Sequence, residues 1–289
     1  MNFMNDLRSF AENVLDHYGL DHTSSEKTTA VLRRWVNLQL RLIPVRPRKV
    51  SVSAKILAMT LDTRQKHAFD AISQKFENGD EVNSHLSKTI FQEDYTDYLF
   101  TDWAIHHLHL STTPDPKNPR FVKRSDKLLF IMLNDSDAYF IDIRDHGEDY
   151  VFAQKELLQV VHDSWPQIIK RYRLNVISVE REFNDPEEIH KLRKAGVNIM
   201  YKVGDAVYMP IGGGVNTAAT SANMVMQTDN LIHIARNSED WAKTNQMNLL
   251  QEVRQMNPSQ RTLDLHLVLD QKGYFVGDFI SKKCWKINT

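Results

Sequence analysis

The chain has 289 residues, and its 36 Lys plus Arg against 37 Asp plus Glu give a formal net charge of −1. Its 42% hydrophobic and 25% charged residues are typical of globular proteins, which excludes collagen-like, low-complexity and wholly disordered chains. No apolar run reaches the ~20 residues of a membrane-spanning helix, and the first twenty residues do not have the pattern of a signal peptide. The single cysteine, Cys284, excludes a disulfide framework within the chain and leads us to expect a cytoplasmic protein.

The N-terminal third predicts three helices and one strand. Apolar residues at helical spacing predict helices over 3–18, about 26–42 and about 63–76. Two prolines end the second helix, and the stretch 45–57 then alternates as a strand does. We expect this third to form a helical N-terminal region, residues 1–98, that carries a basic arm.

The middle of the chain predicts a small α+β core over residues 99–170. A short strand, IHHLHLS, occupies about 105–111 and is followed by a proline-rich loop. The segments LLFIML and AYFIDI predict two buried strands joined by a turn at 134–137, and a helix follows over about 152–161.

The last region, residues 171–289, predicts a second α+β region. It starts with a strand, NVISVER, and continues with a helix that opens at Pro186 and a hairpin that turns at Gly204-Asp205. Two helices are expected next, one over about 221–236 and a long polar one after it, before a closing hairpin that turns at Lys272-Gly273. The whole pattern predicts an α+β fold with an antiparallel or mixed sheet, an N-terminal helical segment and packed helices.

The near-zero net charge conceals one strongly basic segment. Residues 27–61 contain eight Lys or Arg and no Asp or Glu, so the rest of the chain is net negative. Such a window predicts contact with an anionic polymer such as nucleic acid, with Trp35 available to stack on a base. A binding site for an acidic protein, contact with the chain's own acidic part and a solvated helix face remain open as alternatives. The predicted nucleic-acid-binding residues are Arg33, Arg34, Arg41, Arg46, Arg48 and Lys49.

The strand IHHLHLS contains the most unusual group of titratable residues. Side chains two apart on a strand share a face, so His107 and His109 point together, and His106 lies on the opposite face with Leu108. The pair could serve acid–base chemistry or bind phosphate. It could also hold a metal ion with His146 as a third ligand, or be purely structural. The strings of a two-histidine phosphoesterase, an H-E-x-x-H metalloprotease and a Walker loop are absent.

Three stretches of the middle region, IHHLHLS, RFVKRSDKLLFIML and AYFIDIRDH, resemble the arrangement of the RelE/ParE family of small ribonuclease toxins. The resemblance covers residues 99–165, about a quarter of the chain. It implies metal-free cleavage in which the RNA 2′-hydroxyl attacks the adjacent phosphate and cationic side chains stabilise the charge that builds there. On matching positions, Arg124 or Lys123 would hold phosphate, and His146 would act as an acid or a base.

A triple glycine is a second candidate site for an anion. Gly212, Gly213 and Gly214 follow a predicted strand and precede residues that can cap a helix. Glycines let backbone N–H groups converge, so this loop predicts a site for a phosphate or a carboxylate. A tight turn without a ligand is the alternative.

Taken together, these patterns favour a metal-independent endoribonuclease of toxin or antiphage-defence type that needs no cofactor. His107, His109 and His146 would move protons, and Arg124 would stabilise the phosphate. The expected partners are RNA or another nucleic acid and a protein such as an antitoxin, with no membrane. Two alternatives stay open: a non-enzymatic binding subunit of a larger nucleic-acid or defence complex, and a metal-dependent hydrolase that uses His107, His109 and His146.

Overall fold

Helices and three small sheets make up the structure. The computed structural model describes residues 1–92, 95–176, 181–270 and 273–287. Over these residues, helices accompany one mixed and two antiparallel sheets, which confirms the predicted α+β class. No helix within these ranges combines the length and the apolar character needed to cross a membrane.

The chain folds into two compact units. The central unit holds residues 38–223, and the terminal unit joins residues 1–37 to residues 224–289. This division differs from the three consecutive regions predicted from the sequence, because both ends of the chain belong to the same unit.

A four-stranded mixed sheet forms the centre of the central unit. Its strands are β1 (Lys49–Val52), β2 (Ile105–His109), β3 (Lys127–Leu133) and β4 (Asp137–Asp145). Their order in the sheet is β1-β4-β3-β2, with β1 parallel to β4 and the other neighbours antiparallel. The predicted hairpin at 134–137 is confirmed, since Asn134 uses its side-chain oxygen to accept the backbone N–H groups of Ser136 and Asp137.

Both faces of this sheet are buried, which explains why β3 and β4 are nearly continuous apolar runs. On one face, Phe69 and Phe76 pack edge-on against Phe140 at 5.5 and 5.8 Å between ring centroids. On the other face, Tyr139 packs against Trp165 at 5.1 Å. The sheet therefore lies between two layers of apolar side chains.

Within the described residues, six further α-helices and a second small sheet belong to the central unit. The helices are α3 (Ala54–Leu57), α4 (Thr63–Asn78), α5 (Tyr98–Trp103), α6 (Glu156–Ser164), α7 (Pro166–Ile169) and α8 (Pro186–Lys194). The antiparallel sheet has the order β5-β7-β6, with β5 (Arg173–Leu174), β6 (Tyr201–Val203) and β7 (Ala206–Tyr208). Local sequence explains several ends: Asp62 and Gln65 form a capping box at the start of α4, and α4 ends at Gly79 in the left-handed conformation.

The terminal unit consists of helices and a three-stranded antiparallel sheet. Helix α1 contacts the sheet, since the Asp6 carboxylate accepts the Leu267 backbone N–H at 2.9 Å. The helices are α1 (Phe3–Tyr18), α2 (Thr28–Arg41), whose last turn lies in the central unit, and α9 (Ala222–Met256). The strands are β8 (Leu265–Asp270), β9 (Gly273–Asp278) and β10 (Lys283–Lys286).

The predicted elements agree with the structure except at a few places. The two helices expected after residue 221 are one 35-residue helix, α9, because residues 222–256 contain no Gly or Pro to end it. The predicted strand over 45–57 is shorter, and its last part is the helix α3. Strand β10 was not predicted. Most of the predicted strand NVISVER and the Lys272 position of the last turn lie outside the described residues.

Candidate functional site

The histidine strand β2 lies at the edge of the central sheet and is buried along its whole length. Its antiparallel pairing puts His107 opposite Phe130 and His109 opposite Leu128. His107 and His109 therefore share a face, as their spacing predicts. His106 lies on the other face, where its ring is 4.5 Å from the Phe100 ring.

The topology brings three of the predicted site residues together at one end of the sheet. Because β2, β3 and β4 are antiparallel neighbours, the end of β2, the start of β3 and the end of β4 coincide. His109, Arg124 and His146 occupy these positions. The His146 ring stacks on the His109 ring at 5.6 Å with an angle of 12°, and Arg124 Nη2 lies 3.0 Å from His146 Nε2. We call His109, Arg124 and His146 the histidine cleft.

The hydrogen bonds assign protons within the histidine cleft. A guanidinium only donates, so His146 Nε2 accepts from Arg124 and this imidazole is neutral, with its proton on Nδ1. Burial, together with the nearby His107, His146 and Arg124, lowers the pKa of His109 to about 3. His109 Nδ1 accepts the Ser125 backbone N–H at 3.4 Å, which leaves the proton on Nε2. Both rings are thus neutral in this arrangement.

Two cavities meet at Arg124. The smaller, about 90 Å³, is lined by His109 and Arg124 together with Lys88 and Thr89. The larger is open and holds about 520 Å³. Its lining residues are Arg124, Ser125, Asp126, Asp145, His146 and Gly147. A ligand in the larger cavity would meet the guanidinium and the His146 imidazole at once.

The fourth predicted catalytic residue, His107, is separate from both cavities. Its side chain is only 6% exposed and does not line either of them. Its ring packs on Phe152 at 4.6 Å, and its Nδ1 is 3.7 Å from Asp97 Oδ2 and has no hydrogen-bond partner. Burial lowers the pKa of His107, although Asp97 opposes this. The structure therefore places His107 outside the lining of both cavities.

A metal site is not formed by these histidines. Within the part of the chain that the structure describes, no three His, Cys, Asp or Glu side chains are grouped so that they could hold a metal ion. This finding includes the set His107, His109 and His146 on which the metal-dependent alternative rests.

The structure separates the predicted nucleic-acid-binding residues by exposure. Arg33 and Lys49 are exposed. Arg46 is exposed and forms an ion pair with Asp135 at 2.6 Å, and Arg34 forms one with Glu26. These four side chains lie within reach of solvent, although the ion pairs reduce the charge that Arg34 and Arg46 offer to a phosphate.

The prediction that Arg41 and Arg48 bind nucleic acid is wrong, because both side chains are buried. Arg41 is 6% exposed, and burial lowers its pKa to about 10. Arg48 is 5% exposed and donates from Nε to the Asn134 carbonyl and from Nη1 to the Pro44 carbonyl, both at 2.9 Å. Trp35 is also buried and packs edge-on against Phe10. These side chains stabilise the fold and do not present themselves to a polymer.

The glycine loop is a structural turn. The backbone N–H groups of Gly212, Gly213 and Gly214 donate to the carbonyls of Asp102, Pro210 and Thr101, respectively, at 2.9, 3.2 and 2.9 Å. Since all three donors are used within the chain, the loop does not offer the converging N–H groups that the predicted anion site required.

Sequence reasoning missed two features of this region. Lys88 lines the smaller cavity, but it lies 17 residues before the start of the histidine strand at Ile105 and has no motif around it. The second is the buried group of Asp102, Arg193 and Tyr201, in which Arg193 Nε donates to Asp102 Oδ2 at 2.7 Å. Their separation of up to 99 residues left no local signal.

No protein-family model, curated protein or solved structure matches this chain. The resemblance to the RelE/ParE ribonucleases therefore stays a prediction, carried by residues 99–165 alone.

Proposed function

We propose that this protein is a metal-independent endoribonuclease that cleaves RNA at the histidine cleft. The observation that carries the proposal is the contact of the Arg124 guanidinium with the neutral His146 imidazole at the wall of an open cavity. A cation that can hold phosphate and a neutral base that can take a proton are the two groups that cleavage by a 2′-hydroxyl requires.

The reaction begins when a phosphate of the RNA binds the Arg124 guanidinium. This guanidinium then no longer donates to His146 Nε2, whose lone pair becomes free. The imidazole then removes the 2′-hydroxyl proton, and the 2′-oxygen attacks the adjacent phosphorus. The bond to the 5′-oxygen breaks, this oxygen takes a proton from water in the open cavity, and the hydroxide that remains takes the proton back from the His146 imidazolium. The products are a 2′,3′-cyclic phosphate and a 5′-hydroxyl, so atoms and charge balance without a metal ion.

His109 acts in this scheme as a positioning residue. Its parallel stack against His146 restrains the base, and its low pKa keeps a second positive charge away from the imidazole that must accept a proton. The cavity wall also carries Asp126 and Asp145. These carboxylates repel a phosphate, although Asp145 forms an ion pair with Lys127 at 2.9 Å. The phosphate is therefore expected on the Arg124 side of the cavity.

The first test is cleavage of a mixed-sequence RNA by the purified full chain in the presence of EDTA. The proposal expects cyclic-phosphate ends and no cleavage of the same sequence made with 2′-O-methyl ribose. His146→Ala and Arg124→Ala should each reduce the rate by at least about 100-fold. His67→Ala and Arg64→Ala are matched controls, because both side chains are exposed on α4 and line neither cavity. Equal activity in all four variants would contradict the proposal.

A non-enzymatic nucleic-acid-binding subunit is the second candidate, favoured by the burial of both His107 and His109. The same experiment separates the two functions. Binding of RNA that persists in His146→Ala, with intact RNA in every reaction, would support the binding subunit.

A further inference from the structure

We propose that a third cavity of the central unit, separate from the two that Arg124 lines, binds a nucleoside monophosphate whose base carries an amino group. The cavity holds about 330 Å³ and lies against α5 and α8. Its wall includes polar, charged and aromatic side chains: Asp97, Tyr98, Phe152, His190, Arg193 and Lys194. None of them belongs to the histidine cleft, so the inference does not depend on RNA cleavage.

One lining residue of this cavity, Arg193, has a buried polar atom without a hydrogen-bond partner in the described part of the chain, and two residues that contact the lining also have one. In the described part of the chain, four buried side-chain nitrogen or oxygen atoms have no hydrogen-bond partner, and three of them are Trp103 Nε1, His107 Nδ1 and Arg193 Nη2. Arg193 lines the cavity and lies over the Trp103 ring at 4.1 Å. His107 contacts two further lining residues, Asp97 and Phe152. Buried polar groups are normally paired, so the unused Arg193 donor in the cavity wall is suited to a polar ligand.

Two basic residues in the cavity wall can donate hydrogen bonds to an anionic group. Arg193 uses Nε on Asp102 and Nη1 on the Phe152 carbonyl, which leaves Nη2 to donate elsewhere. Lys194, next in the chain, is exposed at the cavity wall. Asp102 balances the Arg193 charge, so the Lys194 ammonium and the unused Arg193 Nη2 donor are the two groups that can hold a phosphate.

The remaining walls suit an aromatic base with an amino group. Tyr98 and Phe152 provide aromatic faces on which a base can stack. Asp97 Oδ1 accepts the Phe100 backbone N–H at 3.1 Å, and Asp97 Oδ2 is beyond hydrogen-bond distance of His107. A carboxylate oxygen in this position accepts hydrogen bonds, so it favours a base with an amino group, which has two N–H donors, over uracil, which has one. Ligand pockets span roughly 300–1,000 Å³. The volume of this cavity lies at the lower end of that range and suits a single nucleotide.

The test is calorimetric titration of the full chain with the monophosphates of guanosine, adenosine, cytidine and uridine, and with guanosine and inorganic phosphate alone. We expect at least one of the three amino-base monophosphates to bind, and uridine monophosphate, guanosine and phosphate to bind about tenfold more weakly or not at all. No binding of any monophosphate at about 1 mM, or equal binding of uridine monophosphate, would overturn the proposal.

Variants on α8 provide a matched pair. Lys194→Ala should weaken binding about tenfold, because it removes a charge-assisted contact to phosphate. Lys191→Ala removes the same charge one turn away, where the lysine pairs with Glu187 and does not line the cavity, and should leave binding unchanged. Both lysines are exposed, so neither substitution should unfold the protein. Equal affinity of the two variants would contradict the assignment, whatever the result of the RNA cleavage test.

Discussion

At the scale of single residues, burial decides which charged groups act on the fold. Asp102 is fully enclosed, and burial raises its pKa, although the Arg193 charge and the Tyr201 hydroxyl oppose this effect. The pair of Asp102 with Arg193 is buried on both sides, unlike the exposed pair of Lys66 with Asp70. A buried pair is costly to break because it leaves one charge without compensation.

Asp102→Ala is therefore expected to lower the free energy of unfolding by about 3–5 kcal/mol, since it leaves Arg193 buried and unpaired. Asp70→Ala, which removes an exposed carboxylate from α4, should change it by less than about 1 kcal/mol. Urea unfolding followed by circular dichroism measures both values. Similar losses in the two variants would show that burial of the Asp102 pair is not the cause.

His266 gives the terminal unit a predictable dependence on pH. Burial disfavours its charged form, but the hydrogen bonds and charges of Asp6 and Asp264, at 2.9 and 3.0 Å, outweigh burial and raise its pKa above 6.5. A raised pKa means that the folded state binds the proton more tightly than the unfolded chain does. The stabilisation is therefore complete below pH 6.5 and is lost as the pH rises through the folded-state value.

The expected result is a drop in the unfolding midpoint between pH 6 and pH 8 that is larger in the wild type than in His266→Gln. His67→Gln, an exposed change on α4, serves as the control and should follow the wild type. A wild-type profile that matches His266→Gln over this range would refute the role of His266.

For helices and strands, hydrophobic periodicity was sufficient to predict most helices and hairpins. It did not predict which side chains cover each face of a strand. The two-residue spacing correctly put His107 and His109 on one side of β2. It could not show that β2, although an edge strand, is covered so closely that His107 is 6% exposed. The cover comes from residues such as Phe152, which are distant in the chain, and a local pattern contains no information on them.

The surroundings of the glycine loop were likewise not predictable from the sequence, and the close approach of Gly212 to the α5 backbone can be tested by substitution. A Cβ at Gly212 would lie 2.5 Å from the Thr101 carbonyl oxygen and closer still to the Phe100 carbonyl oxygen. Gly212→Ala should therefore destabilise the central unit by about 1–3 kcal/mol, because backbone has to shift. Gly147→Ala is the control, since a Cβ there would meet no atom within 4 Å. Equal melting temperatures for the two variants would contradict the close approach of the loop to α5.

For the central unit as a whole, the order of the strands decides which of the predicted sites lie close enough to act on the same substrate. The sequence contained both a basic arm and a histidine group, and it predicted that both act on RNA. Strand β1 runs parallel to β4 and pairs Lys49 with Asp137, at the start of β4, whereas His146 follows the end of β4. The eight steps from Asp137 to Asp145 span about 27 Å of strand. Such long-range pairing depends on tertiary contacts, so composition and periodicity could not predict it.

This separation predicts that the exposed basic residues Arg46 and Lys49 act only on long substrates. If the histidine cleft cleaves RNA, Arg46→Ala/Lys49→Ala should leave the cleavage of a trinucleotide unchanged, because so short a strand in the cleft does not reach the other end of the sheet. For a long RNA, KM should rise several-fold at low salt, and the difference should disappear near 0.5 M salt as the phosphate contacts are screened. Arg124→Ala should instead abolish the cleavage of both substrates. An equal loss with the trinucleotide and the long RNA in the double variant would mean that the basic arm acts at the cleft itself, contrary to the strand order.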